Sequence, residues 1–214
     1  MIITDPTERP SARFLQVVKP FFESQGYQFN KTKKQFQRPF SRGTHIIGFW
    51  FRIGVLTSVD LNWRIQFEKL EKVHATLLGR PRHYKSLFTL GTDLSNYTKG
   101  KEMPYPLYDE ISLYYDDFSI NAASEKTIEA YKNYAEKYLE QFLEYGDIYK
   151  FYEKQDWRQT REILLSKYFS ASNFEDKVET FRQEVYKRHD RTEIECFEKT
   201  IQFLNDQNIR GWLD

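Results

Sequence analysis

From Thr57 to Phe67 the chain alternates without a break. Val59, Leu61, Trp63, Ile65 and Phe67 fall on one face, and Ser58, Asp60, Asn62, Arg64 and Gln66 on the other. A period of two fits an extended strand and no helix, because successive strand side chains point to opposite sides. A strand with one apolar face needs both sheet partners and a covering layer, so this segment commits the chain to a sheet-containing core. The partners lie upstream. Tyr27-Gln28-Phe29 and Gln35-Phe36-Gln37 alternate aromatic with polar residues, and His45 to Ile53 is rich in Ile, Phe and Trp. Ser41-Arg42-Gly43 and Gly54 punctuate these runs, which predicts a four-stranded antiparallel meander over Tyr27 to Phe67.

Helices are expected on both sides of this meander. Asp5 to Gln25 reads as one, with Phe14, Val17, Val18, Phe21 and Phe22 on its apolar face, Pro20 kinking or splitting it, and Gly26 as the stop. Downstream, Leu70 to Leu78 reads as a helix ended by Gly79, with Pro81 beyond. Ser86 to Leu90 and Glu110 to Tyr115 are candidate strands, and Gly91 to Pro106 between them reads as a long surface loop. After about Ser124 the pattern turns helical. Ile128, Tyr131, Ala135, Tyr138, Phe142 and Tyr145 keep a 3–4 spacing that predicts one helix stopped by Gly146. Helices over Ile148 to Tyr152 and Gln159 to Phe169 follow. Ser172-x-x-Glu175 and Thr192-x-x-Glu195 read as capping boxes opening two helices that form an antiparallel hairpin near Asp190. The expected fold class is α+β: an N-terminal helix and an antiparallel sheet of about four to six strands, then an all-helical part ending in a helical hairpin. Residues 1–123 form the basic helix-and-sheet part and 124–214 the acidic helical part, packed together as one domain.

Aromatic residues make up 17% of the chain, so Phe and Tyr must supply much of the core, and aromatic stripes read first as packing. The opening MIITDPTERP lacks the basic and apolar regions of a secretory signal. Apolar stretches such as Ile46 to Phe51 fall far short of the roughly twenty residues that span a bilayer. A single cysteine, Cys196, excludes an internal disulfide and a multi-thiolate zinc site. The expectation is a soluble, cytoplasmic chain with no membrane partner, and its two N-x-Thr sequons read as chance.

The net charge of +1 hides a segregation along the sequence. Residues 1–104 hold 17 Lys and Arg against 8 Asp and Glu, a net of +9. Residues 105–214 hold 15 against 23, a net of −8. The densest basic run is Lys31, Lys33, Lys34, Arg38 and Arg42, with Phe36 and Phe40 interleaved, and a second cluster is Arg80, Arg82, His83 and Lys85. These lysines and arginines are the candidate anion- or partner-binding residues. The competing reading is a solvated strand-and-turn face, neutralised where the acidic helices fold back on it.

Catalytic signatures are absent from the sequence: no G-x-G-x-x-G, no phosphate loop, no H-E-x-x-H and no G-x-S-x-G. His45, His74, His83 and His189 are never three or four residues apart, so no helical metal pair forms. Asp116-Asp117 would diverge on a strand and reads as a turn or cap. Asp60 with Glu68 and Lys69 fails the spacing of a nuclease site, because Glu68 and Lys69 are neighbours and diverge. Glu193, Glu195 and Glu198 around Cys196 make a poor setting for a thiolate. No catalytic residue, metal ligand or cofactor is assigned.

Val17-Val18-Lys19-Pro20-Phe21-Phe22, then Gly26-Tyr27, then the basic segment ending Gln35-Phe36-Gln37-Arg38, resembles the opening of a bacterial family of uncharacterised proteins. Tyr138 to Leu143 with Ile148 to Tyr152 is similar to how such domains close, so the resemblance covers Phe14 to Gln155. It implies a helix, a Gly-aromatic stop, a Lys-rich hairpin and a small sheet in a bacterial, cytoplasmic protein, and it transfers no functional residue. The leading expectation is a non-catalytic protein-binding module of the immunity or antitoxin-like kind. The alternatives are an enzyme with an unfamiliar site between sheet and helices, and a nucleic-acid binder using the basic hairpin.

Overall fold

The computed structural model describes residues 2, 5, 7–53, 57–98, 111–154 and 160–214. The chain is α+β and divides into two compact units, Met1–Ile65 with Leu90–Gln141, and Gln66–Thr89 with Phe142–Asp214. The units therefore do not follow the 123/124 division; the helical residues up to Gln141 belong with the sheet, and Gln66–Thr89 with the later helices.

The first unit opens with α1 (Pro10–Ser24), whose Phe14, Val18 and Phe22 are fully buried. Pro20 does not split it, since the proline is exposed and the helix runs on to Ser24. The Gln16 carbonyl that loses a partner there lies on an exposed residue, within reach of water. Gly26 ends the helix as expected, with φ +81. Tyr27 N–H donates to the Phe22 carbonyl and Gly26 N–H to that of Glu23, both at 3.0 Å. This paired closure needs a left-handed residue, which glycine adopts without a Cβ clash.

Strands β1 (Gln28–Asn30), β2 (Gln35–Phe40), β3 (Gly43–Ile53), β4 (Thr57–Gln66) and β5 (Leu90–Asp93) follow one another across an antiparallel sheet, and β6 (Ile111–Leu113) pairs with β4. The predicted meander is thus present, although Gly54 lies outside the described residues. Register pairs Phe29 with Phe36 and Phe36 with Ile47, which stacks the aromatic face against α1. Phe22 meets Phe36 at 4.8 Å and Tyr131 at 5.1 Å between ring centroids, and Phe14 meets Phe49 at 5.3 Å edge-on. Each such ring contributes about 1.5–3 kcal/mol on burial.

Two expectations shift here. Gly91 to Thr98 is not loop but β5 and a short helix, α3 (Leu94–Thr98), because Asp93 caps it, accepting from the Asn96 amide at 2.8 Å. The rest of that predicted loop, and Glu110, lie outside the described residues. The strand expected over Ser86 to Leu90 begins at Leu90 instead, after a 3-10 turn over Pro81–Ser86.

Helix α4 (Asp117–Ala130) continues through a π-helical turn, Tyr131–Ala135, into α5 (Glu136–Leu139). It stops well short of Gly146. Phe142 and Tyr145 extend the apparent period, yet they are buried in the second unit, so the one stripe in the sequence serves two cores. Gly146 instead sits in the first turn of α6 (Tyr145–Lys154), whose Asp147 carboxylate accepts from the Leu143 and Glu144 amides.

The second unit comprises α2 (Glu68–Leu77), the 3-10 turn, α6, α7 (Thr160–Tyr168), α8 (Phe174–Arg188), α9 (Arg191–Asp206) and α10 (Ile209–Leu213). The hairpin of α8 and α9 is present, with Phe181 edge-on to Phe197 at 5.3 Å, but α10 follows it. Neither capping box forms. No side chain caps α8 at Asn173. On α9 the cap is Asp190, accepting from the Thr192 and Glu193 amides at 2.8 and 3.0 Å, while Glu195 pairs with Arg191. An aspartate one residue outside the helix satisfies the free amides directly and leaves the Thr192 hydroxyl no task.

Candidate functional site

The β1–β2 connection is four residues long, Lys31 to Lys34, and its conformation is set locally. Asn30 Oδ1 accepts from the Lys33 amide at 3.0 Å, and Lys34 closes the turn at φ +50. This presents Lys31 and Lys34 toward the exposed side of α1. Between them lies an open groove of about 590 Å³. Leu15 on α1, Phe29 on β1 and Phe51 on β3 form its half-buried apolar floor. The floor is fixed to the core, since Phe29 packs on Phe36 at 4.9 Å and Phe51 on Phe14 at 5.9 Å. Arg9, Lys19, Lys31 and Lys34 stand around it, against one carboxylate, Glu8. Glu8 accepts from Gln16 at 2.6 Å, and Lys19 lies 3.6 Å from Glu23. A greasy floor with a rim of four cations suits an anionic segment carrying an apolar side chain.

The other predicted binding residues are placed differently. Lys33 is exposed on the same turn but does not line the groove. Arg38 is part of the packing: its guanidinium lies 4.9 Å over the Tyr27 ring, and it donates to the Gln25 carbonyl and to His45 Nδ1, each at 3.4 Å. Arg42 lies in the β2–β3 turn, at the opposite end of β2. Arg80, Arg82 and Lys85 are exposed in the second unit, around the 3-10 turn, where Lys72 and Lys85 approach the Tyr84 ring. Arg9, Lys19, Leu15, Phe29 and Phe51 were missed. Arg9, Ala12, Gln16 and Lys19 share one face of α1, but nothing in the sequence says that β1 and β3 lie beside that face.

Charge also redistributes in the fold. The first unit holds 15 Lys and Arg against 14 Asp and Glu, and the second 17 against 17. The excess of +9 along the first half of the sequence therefore becomes +1 and 0 by unit, and what persists is local, at the groove and around the 3-10 turn of the second unit.

The residues weighed for catalysis carry structural duties. Asp116 caps α4, accepting from the Ser119 amide at 2.7 Å, and Asp117 takes a 2.8 Å bond from the buried Arg13. Burial, then Arg38, holds His45 down at about 4; burial, then Arg161, holds His74 down at about 3. Both rings are neutral at pH 7. Burial pushes the Cys196 thiol up, away from thiolate chemistry. Among the described residues no group of three or more His, Cys, Asp or Glu side chains is placed to hold a metal ion, and no helix is long and apolar enough to cross a membrane.

A buried ion pair in the second unit was not legible in the sequence. Glu71, fully buried, receives both Arg161 Nε at 2.8 Å and Nη2 at 2.7 Å, and also the Thr89 hydroxyl at 2.8 Å. Thr89 in turn accepts from the Phe67 amide, and its carbonyl from the Tyr152 hydroxyl. Both carboxylate oxygens are thereby bonded within the core, which marks a packing device. A further concavity on α9, lined by Ile194 and Ile201 with Glu195, Glu198, Asp206 and Lys199, has the opposite charge balance. No protein-family model matches the chain, and no curated protein or solved structure does.

Proposed function

We propose that this chain is a non-catalytic protein-binding module, acting by surface complementarity as immunity proteins and antitoxins do. The observation that carries this reading is the groove between α1, β1 and β3, where Arg9, Lys19, Lys31 and Lys34 surround Leu15, Phe29 and Phe51. Cations at a rim speed encounter with an acidic partner, while the apolar floor supplies the area removed from water that slows its release. The occupant is an acidic protein segment with one aromatic or aliphatic anchor. The sequence resemblance adds a bacterial, cytoplasmic setting to this reading.

The test uses a panel of fluorescein-labelled peptides, each with a central Phe, Tyr or Leu flanked by Asp and Glu, beside copies with Asn and Gln in place of the acids. Acidic, anchored peptides should bind more tightly than the neutral copies. The double variant Lys31→Glu/Lys34→Glu should weaken them about ten-fold, two rim ion pairs at up to about 1 kcal/mol each. Equal binding of acidic and neutral peptides, or tighter binding of a thymidine oligonucleotide with a steep salt dependence, would overturn it.

A further inference from the structure

The turn from β6 into α4 exposes aromatic rings to an unusual degree. Tyr114, Tyr115 and Phe118 leave 48, 73 and 79% of their surface open, and the exposed Asp116 stands among them. Yet the turn is tightly braced. Arg13 of α1, only 1% exposed, donates to the Tyr115 carbonyl at 2.6 Å and to Asp117 at 2.8 Å. Tyr114 N–H donates to the Ser119 hydroxyl at 2.9 Å, and the Asp116 carboxylate accepts from the Ser119 amide. A buried arginine thus holds still a turn whose rings lie largely in solvent. Rigid, exposed aromatics are the usual anchors of protein interfaces, because little ordering entropy remains to be lost on docking.

Resting on the reading of the groove as a protein-binding site, we infer that one partner it takes is a second copy of this chain. The turn has the chemistry the groove asks for, apolar rings beside a carboxylate, and the groove offers cations around an apolar floor. Both features ride on α1: the groove is lined by its residues from Ser11 to Lys19, and Arg13 holds the turn. A two-fold axis beside α1 seats each copy's Tyr115–Phe118 turn in the groove of the other, two identical contacts in a closed pair. Two small contacts make a weak, concentration-dependent dimer rather than an obligate one. An acidic partner peptide competes with self-pairing for the same groove.

Sedimentation velocity on the full chain, from low micromolar to millimolar, tests this. The wild type should pass from monomer to dimer. Tyr115→Ser/Phe118→Ser and Lys31→Glu/Lys34→Glu change only exposed residues, so both should fold and both should lose most of the dimer. An equimolar mixture of these two variants should regain association only in part, because the intact groove of one meets the intact turn of the other at one of the two contacts. A wild type that stays monomeric while still binding acidic peptides overturns the self-pairing and leaves the groove reading standing. A dimer that survives in either variant overturns it as well. A wild type that neither dimerises nor binds acidic peptides overturns the two readings together.

Discussion

At the scale of single residues, Lys34 shows a conflict between backbone and side chain. Its φ of +50 suits glycine, yet a lysine occupies the position and lines the groove. Left-handed backbone at a residue with a Cβ costs about 1 kcal/mol or more. Lys34→Gly should therefore raise the unfolding free energy by about 1 kcal/mol in urea while weakening acidic-peptide binding about two- to five-fold, the worth of one rim ion pair. A stability gain with unchanged binding would remove Lys34 from the site. The buried Glu71–Arg161 pair behaves in the opposite way, as a purely structural device. Arg161→Met should cost about 3–5 kcal/mol, because it strands a fully buried carboxylate. Peptide binding to folded protein should not change.

At the scale of elements, the α8–α9 hairpin separates two accounts of one helix end. Asp190 caps α9 in the structure, so Asp190→Ala should cost about 1 kcal/mol, and Thr192→Ala far less. Thermal unfolding of the two variants decides between them; equal losses would restore the capping box that the sequence suggested. Local chemistry made elements legible where it dictated the answer on its own. The alternation of Val59, Leu61, Trp63 and Ile65 and the glycines at 26 and 79 are of that kind. It failed where a tertiary choice intervened. Phe142 and Tyr145 keep the period of the preceding helix but belong to another core. The groove was half legible for the same reason. Lys31 and Lys34 stood out as a charge run, while Leu15, Phe29 and Phe51 looked like core residues until β1 and β3 were set beside α1.

At the scale of the whole molecule, the charge asymmetry along the sequence is not an asymmetry between the folded units, because the chain leaves the first unit and returns to it. The units share another property: each buries one neutral imidazole, His45 in the first and His74 in the second. Their folded values of about 4 and about 3 lie below the ordinary 6.5. The unfolded chain therefore takes up protons that the folded chain refuses. Stability is complete above about pH 6.5 and falls as pH drops toward the folded values, by up to about 1.4 kcal/mol per pH unit for each ring. Urea midpoints should decline between about pH 7 and pH 5, and His74→Gln should flatten part of that decline. A flat profile would mean that the rings are solvated.

The groove can be read directly by amide chemical-shift mapping of the isotopically labelled chain as an acidic, Phe-anchored peptide is added. The largest shifts should fall on α1 from Ser11 to Lys19, on Phe29 to Lys34 and on Phe51, and they should vanish in Lys31→Glu/Lys34→Glu. Shifts centred instead on Arg80 to Ser86, or an unperturbed spectrum at saturating peptide, would contradict the assignment of this surface as the binding site.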